Sequence, residues 1–283
     1  MIKFGPSGNS NSFYAEGNKH SEQAFKWLSQ KGLTAYEYSF GRGINISDVK
    51  CLLMRNQSEK YGVEISVHAP YYINFSNPSE EMINKSVAYV INSAKKLQML
   101  GGKRLVFHSA TLGKMNRSEA FELCKKNFEK LLEAIYFNNL QELTFCPETM
   151  GKINQIGDET EIATLCAMDK CLTPTIDFGH LNARTLGGLK EDNDFRRVID
   201  NVMNIIGEEK TKNLHVHFSK IEYSKGGEVK HLTFADEQYG PSYEKFLQVV
   251  SQYELSPVII CESDGTQAED AQQMKNYYES IKL

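Results

Sequence analysis

The feature that most constrains the fold is a regular alternation of short apolar runs with longer segments of helical period. Eight runs rich in β-branched or aromatic residues recur along the chain of 283 residues. They are IKFG (2–5), AYEYSF (35–40), GVEISVHA (62–69), RLVFHS (104–109), LTFCPE (143–148), LTPTIDF (172–178), NLHVHFS (213–219) and SPVIICES (256–263). Because parallel strands need helical crossovers, eight strand–helix units predict an α/β fold, a (β/α)₈ barrel.

The segments between the runs carry apolar residues at three and four spacing, which predicts helices at 21–32, 79–100, 118–137 and 242–254. A doubly wound open sheet is the main alternative, and the number of strands does not exclude it. No change of composition marks a domain boundary, so we expect residues 1–283 to form one barrel domain. The placement of polar residues favours the barrel, whose functional groups collect at the carboxyl ends of the strands.

Composition limits the classes of function. The net charge of −4 gives no overall attraction to nucleic acid, so DNA binding would need a local basic surface or bound cations. The six cysteines form no CxxC pair, and several lie in apolar runs, which suits a reducing cytosol. The start MIKFGPSGN is not an apolar leader, and no stretch approaches about 18 apolar residues. We expect a cytoplasmic protein without a membrane segment, and no protein partner is indicated.

Histidines and carboxylates recur where the predicted strands end. They are His68, His108, Glu148, Asp177, His180, His215, His217, His231 and Glu262. Unpaired acids and imidazoles are costly to bury, and a metal cluster at the mouth of the barrel would compensate that cost. Nitrogen and carboxylate ligands without cysteine suit zinc, manganese or iron. His215 and His217 are two apart on one strand, so if one faces the mouth the other does too.

Seven stretches together carry a family resemblance over nearly the whole chain. They are HAPYYINFS (68–76), VFHSATLG (106–113), PETMG (147–151), IDFGH (176–180), HVHFSK (215–220), KHLTF (230–234) and ICES (260–263). In this order and spacing they resemble the endonuclease IV family, the apurinic/apyrimidinic endonucleases among the xylose-isomerase-like barrels. The resemblance implies a zinc-dependent hydrolase with two or three ions, Mn²⁺ or Fe²⁺ being alternatives, that cuts damaged duplex DNA at abasic sites.

The resemblance also implies roles for individual residues. One metal would be held by His68, His108 and Glu148, a second by Glu148, Asp177, His215 and Glu262, and a third by His180 and His231. Glu148 and Glu262 are the expected catalytic carboxylates, since they would tune the nucleophile as well as bind metal.

Four residues are expected to bind the substrate. Tyr71 and Asn74 fall where the family lines its abasic pocket, and Arg42 is near the loop that probes the minor groove. Lys220 follows a proposed ligand on the mouth side, which makes it a candidate for contact with the DNA backbone.

The chain departs from the family at two places. Where the family carries Asp-Arg-His this chain has VKH (229–231), so Val229 stands at the position of the third metal's carboxylate. Glu228 and Asp236 lie nearby but not at that position, and the third site could be altered, weak or empty. The usual Asn-Asp after the seventh-strand histidine is replaced by His217 and Phe218. His217 is either a ligand itself or a hydrogen-bond partner of one.

Two other functions remain open. Sugar isomerases and epimerases on related barrels hold one metal with residues that would correspond to Glu148, Asp177, His215 and Glu262. Their two glutamates move a proton at a carbon beside a carbonyl. That chemistry leaves His68 and His108 without a metal. The third possibility is a metal-dependent barrel that binds a phosphorylated ligand without catalysis.

Overall fold

The computed structural model describes residues 2–282, which contain a sheet of eight parallel strands. The barrel strands are β1 (Lys3–Pro6), β2 (Ala35–Ser39), β3 (Glu64–His68), β4 (Arg104–His108), β5 (Thr144–Glu148), β6 (Thr175–Asp177), β7 (His215–Phe218) and β8 (Val258–Cys261). Strands that follow one another in the chain are neighbours in the sheet, and β8 pairs with β1. The prediction of a single (β/α)₈ barrel is confirmed.

Strands β1 and β2 meet and nearly close the barrel. The Thr34 N–H donates to the Phe4 carbonyl at 3.0 Å, and the Gly8 N–H donates to the Glu37 carbonyl at 2.9 Å. A Cβ added to Gly5 would lie 1.8 Å from the carbonyl oxygen of Ala35. The close approach of these two backbones therefore requires glycine at position 5.

Helices surround the barrel. They are α1 (Asn11–Ala15), α2 (Ala24–Gln30), α3 (Asp48–Tyr61), α4 (Glu80–Met99), α5 (Arg117–Phe137), α6 (Glu159–Cys166), α7 (Phe178–Arg184), α8 (Asp192–Ile206), α9 (Glu208–Lys212), α10 (Tyr243–Gln252) and α11 (Gln267–Ile281), with a 3₁₀ turn at Ser21–Gln23. Local sequence sets their starts: Asn116 accepts from the Glu119 N–H, and the Glu119 carboxylate accepts from the Asn116 N–H. None of the helices within residues 2–282 combines the length and apolarity needed to cross a bilayer.

Inside the barrel, alternate residues of each strand point toward the axis. Ala35, Val258 and Ile260 form a small apolar cluster there, separate from the large core between strands and helices. The same faces of β2 and β8 become polar toward their carboxyl ends, at Glu37 and Glu262. The apolar interior therefore ends below the mouth, and the upper layers of the barrel are polar.

A β-hairpin between β7 and α10 contributes part of the mouth. Its antiparallel strands are Lys220–Ser224 and Gly227–Leu232. Tyr223 pairs with Glu228 and Glu222 pairs with Lys230, so Val229 is an extra residue in the second strand. Such a bulge reverses the alternation of side chains beyond it.

Candidate metal centre

The mouth of the barrel is a cavity of about 780 Å³ at the carboxyl ends of the strands. Its lining includes Ser7, Ser39, His68, Tyr71, His108, Glu148, Lys152, His180, Glu228, Lys230, His231 and Glu262. Asp177 and His217 are completely buried. In a barrel of this kind the carboxyl ends of the strands are where functional sites form.

A first group of side chains joins β3, β4 and β5. The Glu148 Oε2 atom lies 3.2 Å from the Nε2 atom of His68 and 3.2 Å from that of His108. The ring of Tyr71 lies 5.9 Å and 5.7 Å from the rings of these two histidines, measured between centroids. Glu148 ends β5 in register with His108 at the end of β4, which explains why these side chains meet.

A second group shares Glu148 with the first. It comprises Glu148, Asp177, His217 and Glu262, each offering one ligand atom within 4.8 Å of the others. The Oε1 atom of Glu148 lies 2.9 Å from His217 Nδ1, and Glu262 Oε2 lies 3.5 Å from the same nitrogen. Glu148 thus directs one carboxylate oxygen to each group, as a carboxylate bridging two metals would.

A third group joins α7 to the hairpin. His180 Nε2 lies 3.4 Å from Glu228 Oε2, and His231 Nε2 lies 4.0 Å from Glu228 Oε1. Glu228 and His231 are three apart, yet the bulge at Val229 lets both face the cavity. Val229 itself is 51% exposed. Glu228 therefore supplies the carboxylate that the sequence lacks at position 229. In the sequence, Glu228 lies nearby but not at the expected position.

Three of these histidines form hydrogen bonds to oxygen atoms of the protein through Nδ1. The Nδ1 atoms of His68 and His180 lie 2.8 Å and 2.9 Å from the carbonyl oxygens of Ala69 and Thr149. A carbonyl oxygen can only accept, so both Nδ1 atoms carry the proton. His231 Nδ1 lies 2.9 Å from the Ser219 hydroxyl oxygen. Each of the three rings presents Nε2 to its neighbouring carboxylate.

Two carboxylates of the site, Glu148 and Glu262, have lowered pKa values and stay ionised. Burial would raise the pKa of Glu148, but the charge of His217 and hydrogen bonds from His108 and His68 hold that pKa well below its usual range. Burial would also raise the pKa of Glu262, but the charge of His217 and a hydrogen bond from it lower that pKa to about 2. Both glutamates are therefore anionic ligands at neutral pH.

His180 and His217 have raised pKa values, whereas burial lowers the pKa of His108. Burial would lower the pKa of His180, but Asp177 and Glu228 raise it to about 9. Burial would likewise lower the pKa of His217. Glu262 and the other neighbouring carboxylates instead raise that pKa well above its usual value. Excess negative charge in the site thus favours cations, either protons on histidine or metal ions.

Several observations fit a metal. Asp177 Oδ2 is buried and forms no hydrogen bond within residues 2–282, although it lies 3.2 Å from His180 Nδ1. The potential ligands are imidazoles and carboxylates, and the six cysteines are free thiols outside all of the groups. Such a donor set suits zinc, manganese or iron.

One predicted ligand lies elsewhere. His217, not His215, stands beside Asp177, because the two residues are in register between β6 and β7. His215 is two residues earlier on the same inward face and therefore lies one layer deeper, where its Nε2 atom is 3.0 Å from Glu37 Oε2. Sequence analysis missed Glu37, although a carboxylate between Tyr36 and Tyr38 in an apolar strand was a usable signal.

The predicted substrate residues separate into two kinds. Tyr71 is 55% exposed and lines the cavity, as expected. Asn74 instead bonds Thr111, donating to its hydroxyl and accepting from its N–H, both at 3.2 Å. Lys220 donates to the carbonyls of Phe234 and Asp236.

The side chains of Asn74 and Lys220 therefore connect neighbouring loops. The expectation was that both would face the substrate, and the structure places neither in the cavity lining. Arg42 is exposed in the turn after β2 and lies outside the cavity lining formed by residues 2–282. Two other cations, Lys152 and Lys230, do line the cavity.

Comparison with known proteins supports the resemblance seen in the sequence. An uncharacterized protein of Methanocaldococcus jannaschii is 33% identical over 254 residues, covering 89% of this chain and 90% of the relative. A probable endonuclease 4 of Methanosphaera stadtmanae is 30% identical over 161 residues, which is 55% of this chain and 55% of that relative. The predicted relationship to endonuclease IV is confirmed, at low identity.

Solved structures share the fold. Endonuclease IV from Thermus thermophilus superposes with a TM-score of 0.73 at 21% identity, covering 98% of this chain and 99% of that one. A D-tagatose 3-epimerase-like protein superposes with a TM-score of 0.72 at 20% identity, covering 99% and 98%. The sequence model described as xylose isomerase-like TIM barrel matches residues 25–282. The chain therefore belongs to the xylose isomerase-like TIM barrel family.

Proposed function

We propose that the protein is a metal-dependent endonuclease that cleaves the DNA backbone at abasic sites in the cytoplasm. The observation that carries the proposal is the Glu148 carboxylate, which contacts His68 and His108 through one oxygen and His217 through the other. Two adjoining ligand groups with a shared carboxylate, and a third beside them, are more than a one-metal enzyme needs.

Zinc is the first choice for the ions, in two or three sites, with manganese or iron as alternatives. His68, His108 and Glu148 would hold one ion, and Glu148, Asp177, His217 and Glu262 a second. A third would bind His180, Glu228 and His231. Bound divalent ions supply activated water and stabilise charge on the phosphoryl and leaving oxygens.

Residues of the chain would position the substrate. Lys152 and Lys230 line the cavity and can offset the phosphate charge locally, although the chain as a whole is acidic. Tyr71 offers an exposed aromatic face beside His68 and His108, against which an unpaired sugar or base can pack. Glu148 and Glu262 are the catalytic carboxylates in this proposal, because both are ionised and face the shared ligand groups.

The test is incision of a labelled duplex with one abasic site, with zinc or manganese supplied. We expect cleavage beside the abasic sugar, and a loss of at least about 100-fold in rate for Glu262→Gln, because that change removes an anionic ligand. An intact duplex without the abasic site is the substrate control. Absence of cleavage by a folded, metal-loaded wild type would contradict the proposal.

A sugar epimerase is the second candidate. The group of Glu148, Asp177, His217 and Glu262 has the two glutamates, aspartate and histidine that one-metal proton transfer at a sugar needs. The cavity of about 780 Å³ can also enclose a monosaccharide. The D-tagatose 3-epimerase-like neighbour has the same fold.

A double variant, His68→Ala with His108→Ala, distinguishes the two functions. The endonuclease would lose one bound ion per chain and its incision activity, because the first ligand group is gone. An epimerase would keep the metal of the second group and turn over ketohexoses at an unchanged rate. Metal content and both activities are measured on the same preparation, with His20→Ala as an exposed-histidine control.

A further inference from the structure

Beneath the candidate metal centre lies a second polar layer with no access to the cavity. It consists of Glu37 on β2, Ser66 on β3 and His215 on β7, all of them at most 2% exposed, and it contacts His217 of the second ligand group from below. Ser66 donates to Glu37 Oε2 at 2.8 Å, and His215 Nε2 lies 3.0 Å from the same oxygen. The other oxygen, Oε1, lies 2.9 Å from His217 Nε2.

His217 is oriented differently from the other histidines of the site. His68, His180 and His231 are anchored to the protein through Nδ1 and present Nε2. His217 presents Nδ1 to Glu148 and turns Nε2 down to Glu37. The position of Glu37, one layer deeper in the barrel, accounts for the difference.

The Nε2 contact decides which ring nitrogen of His217 keeps its proton when a metal binds. Glu37 Oε1 is the atom that Nε2 faces, and neither atom has another hydrogen-bond partner in residues 2–282. A nitrogen lone pair 2.9 Å from a carboxylate oxygen would meet only another lone pair and repel it. The same holds for Nδ1, which lies 2.9 Å from Glu148, so both nitrogens carry protons in the metal-free protein. A metal in the second ligand group would take the place of the proton on Nδ1, and Nε2 would keep its proton toward Glu37.

We propose that Glu37 is a positioning residue that holds His217 in the tautomer with Nε2 protonated, so that His217 binds metal through Nδ1. Ser66 and His215 orient the carboxylate of Glu37 from below. This explains why the chain carries two histidines on β7: one is a ligand and the other supports the ligand's partner. Carboxylates that accept from ligand histidines raise metal affinity in this way. The inference rests on the metal centre of the proposed function, not on its DNA substrate.

The first test uses the wild-type chain. In protein labelled with ¹⁵N-histidine and loaded with Zn²⁺, long-range proton–nitrogen correlations report which ring nitrogen holds the proton. His217 is assigned by the signals lost in His217→Asn. We expect a protonated Nε2 and a metal-bound Nδ1 for His217, and the reverse for His68 and His180. Coordination of His217 through Nε2 would overturn the inference.

The second test measures zinc affinity by competition with a chromophoric chelator. Glu37→Gln keeps the size of the side chain but removes its charge, and we expect about a 10- to 100-fold loss of affinity for one ion. Glu161→Gln is the matched control, because Glu161 is also buried but contacts Arg117 instead of a histidine. A change of less than about threefold in Glu37→Gln, or a zinc ion found between Glu37 and His215, would refute the assignment.

Should Glu37→Gln fail to fold, the wild-type spectrum alone decides. Neither measurement depends on turnover, so the tautomer and the affinity can match expectation even if abasic DNA is not cleaved. In that case the positioning role of Glu37 holds and the DNA substrate is rejected.

Discussion

At the scale of residues, the site is a balance between buried carboxylates and the cations that compensate them. Glu148 contacts histidines from three strands, so its negative charge is compensated without a lysine or arginine. Against the effect of burial, neighbouring carboxylates raise the pKa of His68 and of His217, which favours protons on these two rings when no metal is bound. Metal ions and protons therefore compete for the same nitrogen atoms, and the competition has a measurable consequence.

We predict that zinc binding to metal-free protein near pH 7.5 releases roughly two protons, one each from His180 and His217, because a ligand histidine must be neutral. The pKa of His180 is raised to about 9, so its charge stabilises the metal-free fold below about pH 6.5 and this stabilisation is lost as the pH rises through 9. Zinc affinity should accordingly increase over that range.

Calorimetry in buffers of different ionisation enthalpy gives the number of protons released. His180→Gln should release about one proton fewer than the wild type. Release of no protons by the wild type would show that these histidines are already neutral in the metal-free protein.

At the scale of elements, the hairpin after β7 is the part of the site most dependent on a single irregularity. Without the bulge at Val229, the alternation of the strand would direct Glu228 and His231 to opposite faces. The third ligand group consequently ties the hairpin to α7 through His180.

We predict that Glu228→Gln loses the third ion and that adding Val229→Asp does not restore it, because residue 229 is half-exposed and lies outside the group formed by His180, Glu228 and His231. The readout is metal content, with hydrogen exchange of residues 220–232 as a second measure. Zinc should slow exchange in the wild type and not in either variant. If the Asp at 229 recovered the ion, the hairpin would have to adopt another register.

At the scale of the whole molecule, closure of the barrel sets the distances within the site, because the candidate ligands come from β3 through β8 and from the hairpin. Closure depends on the approach of β1 to β2, where Gly5 faces the carbonyl of Ala35. The two strands also bring Glu37 across the barrel to the histidines of β7.

We predict that Gly5→Ala lowers the free energy of unfolding by about 3 kcal/mol or more, since a Cβ would lie 1.8 Å from a backbone oxygen that cannot move without opening the barrel. Gly43→Ala is the control, because its Cβ would meet only Asn45 Nδ2 at 3.6 Å. Urea unfolding measures both. Equal stability of the two variants would mean that β1 and β2 can separate freely.

The sequence alone determined the barrel and most of the candidate ligand residues. The period of its apolar runs gives strands and helices in order, and a histidine or acid at a strand end must lie at the common rim. His68, His108, Glu148, Asp177 and Glu262 follow from that rule. Such patterns are local, so they can be seen before any three-dimensional contact is known.

Only the tertiary structure decided which of two residues on one strand reaches the site. Strand register places His217 beside Asp177 and leaves His215 one layer deeper. A single bulge in the hairpin directs Glu228 to the cavity, where the side chain of residue 229 was expected from the sequence. Barrel closure brings Glu37 under His217. Register, bulges and closure depend on backbone pairing between segments far apart in the chain, and one residue of shift changes the face on which a side chain lies.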